Sequence, residues 1–232
     1  MLVACWSPKG GSGTTVVAVL LALAYARDAG GGALLIDTAG DGAAALGVPE
    51  PGGPGLAEWL GAAGDVGADA LGRLEHTVGP GLALVGRGAG PASGGPAPIR
   101  AEHLAAALAA GDRPVVADCG PADRPPGREL ARGATASVCV LRPCYLALRR
   151  ALEAEQRPSG VVLVHEPFRA LQRRDVEEVL GVAVWAELEW DAAVARAVDA
   201  GLLASRRPRA AERAVDQVRR ALAAAEARGR AA

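Results

Sequence analysis

The chain has 232 residues, half of them apolar and 22% charged, with a net charge of −1. That length suffices for one sizeable α/β domain over residues 1–232 and requires no second domain. The near-zero charge excludes a global field drawing the protein to nucleic acid or to a membrane surface.

An apolar run, Leu2 to Trp6, reads as a strand and leads into Ser7-Pro8-Lys9-Gly10-Gly11-Ser12-Gly13-Thr14-Thr15. Residues 14–28 then read as a helix that Gly30-Gly31-Gly32 stops. Ala33 to Asp37 is a continuously apolar run ending in an acid, the pattern of a buried parallel strand with a carboxylate at its end. Residues 41–66 are punctuated by glycine and proline, with a short helix around Leu56–Leu60. A helix is predicted over 67–75 and a strand over 81–85. Residues 86–98 hold too little apolar content to pack and read as a flexible loop. An alanine-rich helix over 99–110 precedes a strand over 114–118, which again ends in aspartate, Asp118. Strands at 136–141 and 160–164 flank a helix over 144–156. A helix near 173–180 precedes a strand at 182–186, and Asp191 is a plausible N-cap for a helix over 192–200. A last helix over 209–228 places Ala211, Ala214, Val215, Val218, Leu222 and Ala225 on one face.

Strands alternating with helices predict a doubly wound, mostly parallel sheet flanked by helices. Ligands of such sheets bind beyond the carboxyl ends of the strands. Lys9, Asp37 and Asp118 all fall at or just past predicted strand ends, so the pattern gathers them at one crevice.

Strand, glycine-rich turn and helix is the layout of a phosphate-binding loop, because glycines let backbone N–H groups converge and the helix N-terminus adds positive partial charge. Lys9 is the only lysine; the other 24 of the 25 basic residues are arginine. A flexible ammonium threads between phosphates where a planar guanidinium does not. The spacing GxxxxGK[ST] is not met, since Thr14 stands where its lysine would be. A glycine turn without ligand is the competing reading. Against it stand the strand–helix context and Asp118, placed to hold a magnesium ion through water, with the Thr15 hydroxyl as a direct ligand.

Lys9-Gly10-Gly11-Ser12-Gly13-Thr14-Thr15 resembles the KGGxGK[ST] pattern of the deviant Walker A P-loop proteins of the MinD/ParA family, at every defined position but Thr14. The resemblance covers most of the chain and is specific mainly in this loop and at Asp118. It implies a P-loop NTPase-type fold, ATP or ADP with Mg²⁺ bound by residues 9–15 (Lys9, Gly10, Gly11, Ser12, Gly13, Thr14 and Thr15), and a homodimer in which Lys9 reaches the partner's phosphates. Thr15 and Asp118 would hold the metal. Lys9 and Asp37, as signature lysine and first switch I acid, would serve catalysis, and Cys119-Gly120-Pro121 would open switch II. Leu188 to Asp191, with Val194, Ala197, Asp199 and Gly201, looks like the family's segment near the adenine.

Two departures bear on activity. Thr14 replaces the lysine that touches the β- and γ-phosphates, and Ala39 replaces the second switch I acid, with Asp41 two residues further on. Both charge stabilisation and water positioning are thereby reduced, which implies retained nucleotide binding with slow or absent hydrolysis. The threonine resembles the CpaE/TadZ branch of Tad (Flp) pilus proteins and related actinobacterial septum-site-determining proteins. The implied function is a nucleotide-dependent dimer switch for a pilus or cell-division assembly, cytoplasmic or brought to the membrane or pole by a partner. The alternatives are a nucleotide-independent scaffold and an active DNA- or cargo-partitioning ATPase.

The remaining features are read as structural. Cys5, Cys119, Cys139 and Cys144 lack CxxC spacing, and three lie in apolar runs, as reduced core thiols of a cytosolic protein do. His76, His103 and His165 have no metal-ligand spacing. Arg142-Pro143 and His165-Glu166-Pro167 follow strands, either as ordinary loops or near a base. Val16 to Ala26 imitates the apolar region and cleavage site of an export signal, but the Gly-Gly-Ser-Gly before it does not fit a basic leader. No run reaches the ~20 apolar residues of a spanning helix. Residues 205–230 carry eight arginines against three acids. A solvated helix face is the default for them, so nucleic-acid binding is not expected.

Overall fold

The structure, a computed structural model, describes residues 1–63, 68–90 and 97–231. Among these residues the strands are β1 (Leu2–Trp6), β2 (Ala33–Asp37), β3 (His76–Gly79), β4 (Leu82–Val85), β5 (Val115–Asp118), β6 (Ala136–Leu141), β7 (Gly160–His165) and β8 (Val184–Glu189). They form one sheet in the order β3-β4-β2-β5-β1-β6-β7-β8. Every pairing is parallel except β3 with β4. The predicted doubly wound sheet is therefore present, with an antiparallel edge strand added.

The helices are α1 (Thr14–Asp28), α2 (Gly42–Leu46), α3 (Leu56–Gly61), α4 (Ala97–Ala110), α5 (Gly127–Gly133), α6 (Tyr145–Glu153), α7 (Arg173–Leu180), α8 (Ala192–Asp199) and α9 (Arg209–Ala231). Side chains alternate across the sheet because successive strand residues point to opposite faces. Val3, Cys5, Leu35 and Val116 pack on one face with α1, α2, α8 and α9. Leu2, Ala4, Trp6, Ile36 and Ala117 pack on the other with α3 to α7. Both faces being covered, the central strands read as unbroken apolar runs.

Helix α1 lies between the sheet and α9, and Val17 to Ala22 are all buried. Helix α9 covers it with Ala211, Ala214, Val215, Val218 and Leu222 of the predicted stripe, whereas Ala225, also predicted there, is only half-buried. At the flank, Arg219 lies 5.4 Å from the centroid of the Tyr25 ring and 2.5 Å from Asp28. Asp191 caps α8 as expected, its carboxylate accepting from the Ala193 N–H at 2.7 Å.

The structure corrects several local expectations. The helix expected over 67–75 is a 3-10 turn over Ala68–Leu74. Residues 86–90 of the expected loop are pinned: the Glu58 carboxylate accepts from the N–H groups of Gly55, Ala89 and Gly90 at 2.7, 3.0 and 2.6 Å. Residues 91–96 lie outside the described residues, and α4 begins two residues earlier than expected, at Ala97. Strand β8 runs over 184–189 in place of 182–186.

The register of β7 with β8 slips between Val161 and Val162, leaving Trp185 as the extra residue of a bulge. Its ring turns onto Gly160, where a β-carbon would stand 2.1 Å from the indole. Bulges re-aim a side chain in this way. Gly160→Ala is expected to destabilise the fold by about 1–3 kcal/mol through overpacking. Denaturant unfolding checks this, and an unchanged midpoint would show that the ring moves aside freely.

Candidate functional site

The site grows from the central strands. β5 lies between β1 and β2, with Cys5 and Asp37 both in register with Asp118. The two acidic strand ends therefore stand side by side, next to the strand that feeds the glycine loop. Three contacts weld the strand ends together. The Ser7 N–H donates to the Gly120 carbonyl at 2.9 Å. The Thr38 N–H and hydroxyl both donate to the Asp118 carbonyl at 2.9 Å. Trp6 anchors the base, its indole N–H donating to the buried Ser137 hydroxyl at 2.8 Å.

The loop is closed by its own serines: the Ser7 and Ser12 hydroxyls donate to the Lys9 carbonyl at 2.8 and 3.1 Å. Gly11 and Gly13 have φ of +76° and +87°, a left-handed geometry that favours glycine. Gly13 is the N-cap of α1 and provides no side-chain cap. The first N–H groups of a 15-residue helix are therefore left without a side-chain acceptor, the arrangement that binds anions. Thr14 is buried at 6% exposure, while Thr15 is half-buried.

A cavity of about 580 Å³ opens on this loop, lined by Gly10 to Thr15, by Thr38, Ala39 and Asp41, by Arg87, and by residues 119–121 and 123–126. Of the residues singled out from sequence, Gly10, Gly11, Ser12, Gly13, Thr14 and Thr15 are brought to its wall. Asp41 joins them, so the turn after β2 does carry an acid to the cavity although Ala39 does not supply one.

Asp118 is fully buried and does not itself line the cavity, although Cys119 and Gly120 after it do. Its Oδ1 accepts from the Gly120 N–H at 3.1 Å, whereas Oδ2 has no hydrogen-bond partner. Burial pushes this carboxyl up to about 6; the nearby Thr15 hydroxyl opposes the shift without forming a hydrogen bond of normal geometry to Oδ2, and Asp37 adds repulsion. A buried, unpartnered carboxylate oxygen is costly unless a cation or donor completes it. Asp118 and Thr15 are therefore a donor set that fits a magnesium ion sharing its shell with phosphate oxygens and water. No cluster of three or more His, Cys, Asp or Glu able to hold a metal occurs among the described residues.

Asp37 has a different local task. Its Oδ1 accepts from the N–H groups of Ala39 and Gly40 at 2.9 and 2.7 Å, and its Oδ2 from Gly42 at 2.7 Å. Burial raises this carboxyl despite the three donors, which pull the other way. Both oxygens are thus committed to shaping the 38–42 turn, which places Asp41.

Lys9 is half-buried and does not line the cavity beside its own loop. Its charge acts on Glu166, whose carboxyl is held below its ordinary range chiefly by Arg169, with Arg142 and Lys9 adding to it. Arg142 pairs with Glu166 at 2.6 Å, so the segments after β6 and β7 are joined to each other. Leu188, Trp190 and Asp191 do not line this cavity, and Gly201 packs on Gly47. His165 contacts Glu187 at 2.7 Å. The four cysteines are free, with Cys5, Cys119 and Cys139 buried. No described helix is long and apolar enough to cross a membrane.

Arg87 and Arg124 were not legible in the sequence as cavity residues. Arg87 lies two residues past the end of β4, and that position was the available signal.

No family model and no curated protein sequence matches this chain. Solved structures do. A ParA family ATPase from Chlorobium tepidum has a TM-score of 0.70 at 20% identity, covering 93% of this chain and 96% of that one. The septum site-determining protein MinD of Pyrococcus horikoshii, complexed with Mg-ADP, has a TM-score of 0.73 at 16% identity, covering 93% of both chains. A variant of McdA from Cyanothece, in complex with ATP, has a TM-score of 0.68 at 18% identity, covering 96% of this chain and 95% of that one. The eight-stranded, mostly parallel sheet flanked by helices is thus the P-loop NTPase fold seen in these MinD- and ParA-type ATPases.

Proposed function

We propose that this chain works as a single domain, a MinD/ParA-like, deviant Walker A nucleotide switch that binds ATP and ADP with Mg²⁺ and dimerises. The observation that carries this reading is the uncapped N-terminus of α1 at the cavity wall together with the orphaned Oδ2 of Asp118, which is buried behind that wall, next to Thr15 and just before Cys119 and Gly120, all three of which line the cavity. One element attracts phosphate and the other attracts a cation. The backbone N–H groups of residues 10–15 hold the phosphates, and Thr15 and Asp118 hold the metal, which neutralises phosphate charge when bound. Lys9, turned out of its own cavity, serves a second copy's phosphates. Asp37 sets the turn that carries Asp41.

Thr14 removes one charge from the phosphate site and Ala39 removes a carboxylate, so turnover is slow or absent. The output is the positioning or regulation of a pilus or septum assembly, as in the CpaE/TadZ branch that the threonine resembles. The same Thr14 favours a second reading, a scaffold that keeps the fold and needs no nucleotide.

Calorimetric titration with MgATP and MgADP separates the two, since a scaffold binds neither. Molecular mass in solution with and without MgATP tests the dimer. Lys9→Ala is expected to bind nucleotide within about threefold of the parent while losing ATP-dependent dimerisation, because its ammonium acts across the interface. Dimerisation equal to the parent's would remove the trans-acting role. Turnover like that of an active partitioning ATPase would remove the slow-hydrolysis reading.

A further inference from the structure

The phosphate cavity lacks a lysine at Thr14, yet two guanidinium groups stand in its wall, Arg87 and Arg124. They are not equivalent. Arg124 is 76% exposed and pairs with Asp123 at 3.3 Å. The Arg87 side chain has no ion-pair or hydrogen-bond partner among the described residues.

The backbone beneath Arg87 is held from both sides. The Leu56 N–H donates to the Gly86 carbonyl at 3.0 Å, and the Ala57 N–H to the Arg87 carbonyl at 2.9 Å. The Glu58 carboxylate fixes Ala89 and Gly90. Arg87 is itself exposed, so this base fixes the backbone from which the guanidinium extends and leaves the side chain to be ordered on binding. The stem lies against the turn that Asp37 shapes: a β-carbon on Gly40 would stand 3.4 Å from Arg87 Cδ. Arg87 therefore enters over Ala39 and Gly40, the wall that the turn after β2 forms, and not from the glycine loop. The unpartnered Oδ2 of Asp118 is buried just before Cys119 and Gly120, which line the same cavity as Arg87.

We infer that Arg87 is the cation that replaces the missing P-loop lysine, and that it contacts the outermost phosphate of a nucleoside triphosphate. This rests on the nucleotide reading above. In this assignment the loop and the α1 N-terminus serve the phosphates nearer the nucleoside, and Arg87, whose stem lies against Gly40 in the turn after β2, serves the far end of the chain. A planar fork with parallel N–H donors suits a terminal phosphate bearing several free oxygens. Arg87 thus makes the site discriminate triphosphate from diphosphate, a task that the glycine loop alone does not perform.

The test is calorimetry of MgATP and MgADP on the parent, Arg87→Ala, Arg87→Lys and Arg124→Ala, each checked for parent-like thermal unfolding. Loss of a charge-assisted hydrogen bond predicts that Arg87→Ala weakens MgATP about 10- to 30-fold and MgADP less than about threefold. Arg87→Lys should recover part of the loss, and Arg124→Ala should retain the parent's preference for ATP. Equal weakening of both nucleotides, no weakening of either, or an ATP-selective loss from Arg124→Ala overturns the assignment to Arg87. A parent that binds neither nucleotide overturns the nucleotide reading itself, so the two failures are told apart by the parent titration.

Discussion

Asp118→Asn is expected to stabilise the ligand-free protein near pH 7.5 while abolishing the magnesium-dependent part of nucleotide binding. The folded-state carboxyl is raised to about 6 from an ordinary value of 3.8, mainly by burial. A raised acid binds its proton more tightly folded than unfolded, so this group lowers stability as pH rises from about 4 to about 6. The penalty is complete above that window and absent below it. A shift of about two units corresponds to about 3 kcal/mol, or a melting temperature of order 5–10 °C for a chain of this size. Asparagine removes the charge, keeps an oxygen for the Gly120 N–H, and lets its amide face the Thr15 hydroxyl. Under the proposed function, metal binding at Oδ2 is expected to be lost with the charge. Thermal unfolding of parent and variant between pH 4 and 8, with and without MgATP, checks both halves. Parallel stability profiles across pH 4–6 would show that Asp118 carries no penalty, and its role as the unsatisfied half of a cation site would fall.

Thr14→Lys should raise affinity for ATP and ADP alike, by about 10- to 100-fold, since one new charge-assisted hydrogen bond is worth about 1.5–3 kcal/mol. Thr14 opens α1 and lines the cavity, so a four-carbon stem from this position can follow the cavity wall to the phosphates. Combining it with Arg87→Ala gives a cycle with a definite sign. If Arg87 compensates for the threonine, the loss caused by Arg87→Ala shrinks once the lysine is present. Calorimetry on the four proteins measures the coupling. Unchanged affinity for both nucleotides in Thr14→Lys would mean that phosphates do not bind beside Thr14.

The central architecture was legible because it depends on runs of consecutive residues. Leu2 to Trp6, Ala33 to Asp37 and Ala136 to Leu141 are buried along their whole length and almost wholly apolar, as burial on both faces of the sheet demands. Strand β3 was missed because His-Thr-Val-Gly is short, half-exposed and polar, as an edge strand can be. Helices α2 and α5 were missed because both start with glycine, and α5 also ends with it, which removes the usual start signal. The β8 boundary shifted because a bulge at Trp185 interrupts the alternation. At the site, the glycine loop is local and could be read directly. Asp41 could be named only as a substitute that required a different turn, and Arg87 could not be named at all, since one depends on a turn folded around Asp37 and the other on a loop clamped by Glu58. Both clamps are carboxylates accepting backbone N–H groups, contacts that leave no periodic trace in sequence.

β5 has only four residues, yet its end carries three loops: the Ser7 N–H joins the glycine loop to Gly120, and Thr38 joins the next turn to Asp118. Such a junction has a thermodynamic consequence for any molecule that grips the 120–126 segment. Whatever factor that partner changes in the affinity for a ligand on the glycine loop, the ligand changes in the affinity for the partner, by the same factor. Measuring nucleotide affinity with and without a bound partner thus gives the strength of signalling in both directions at once.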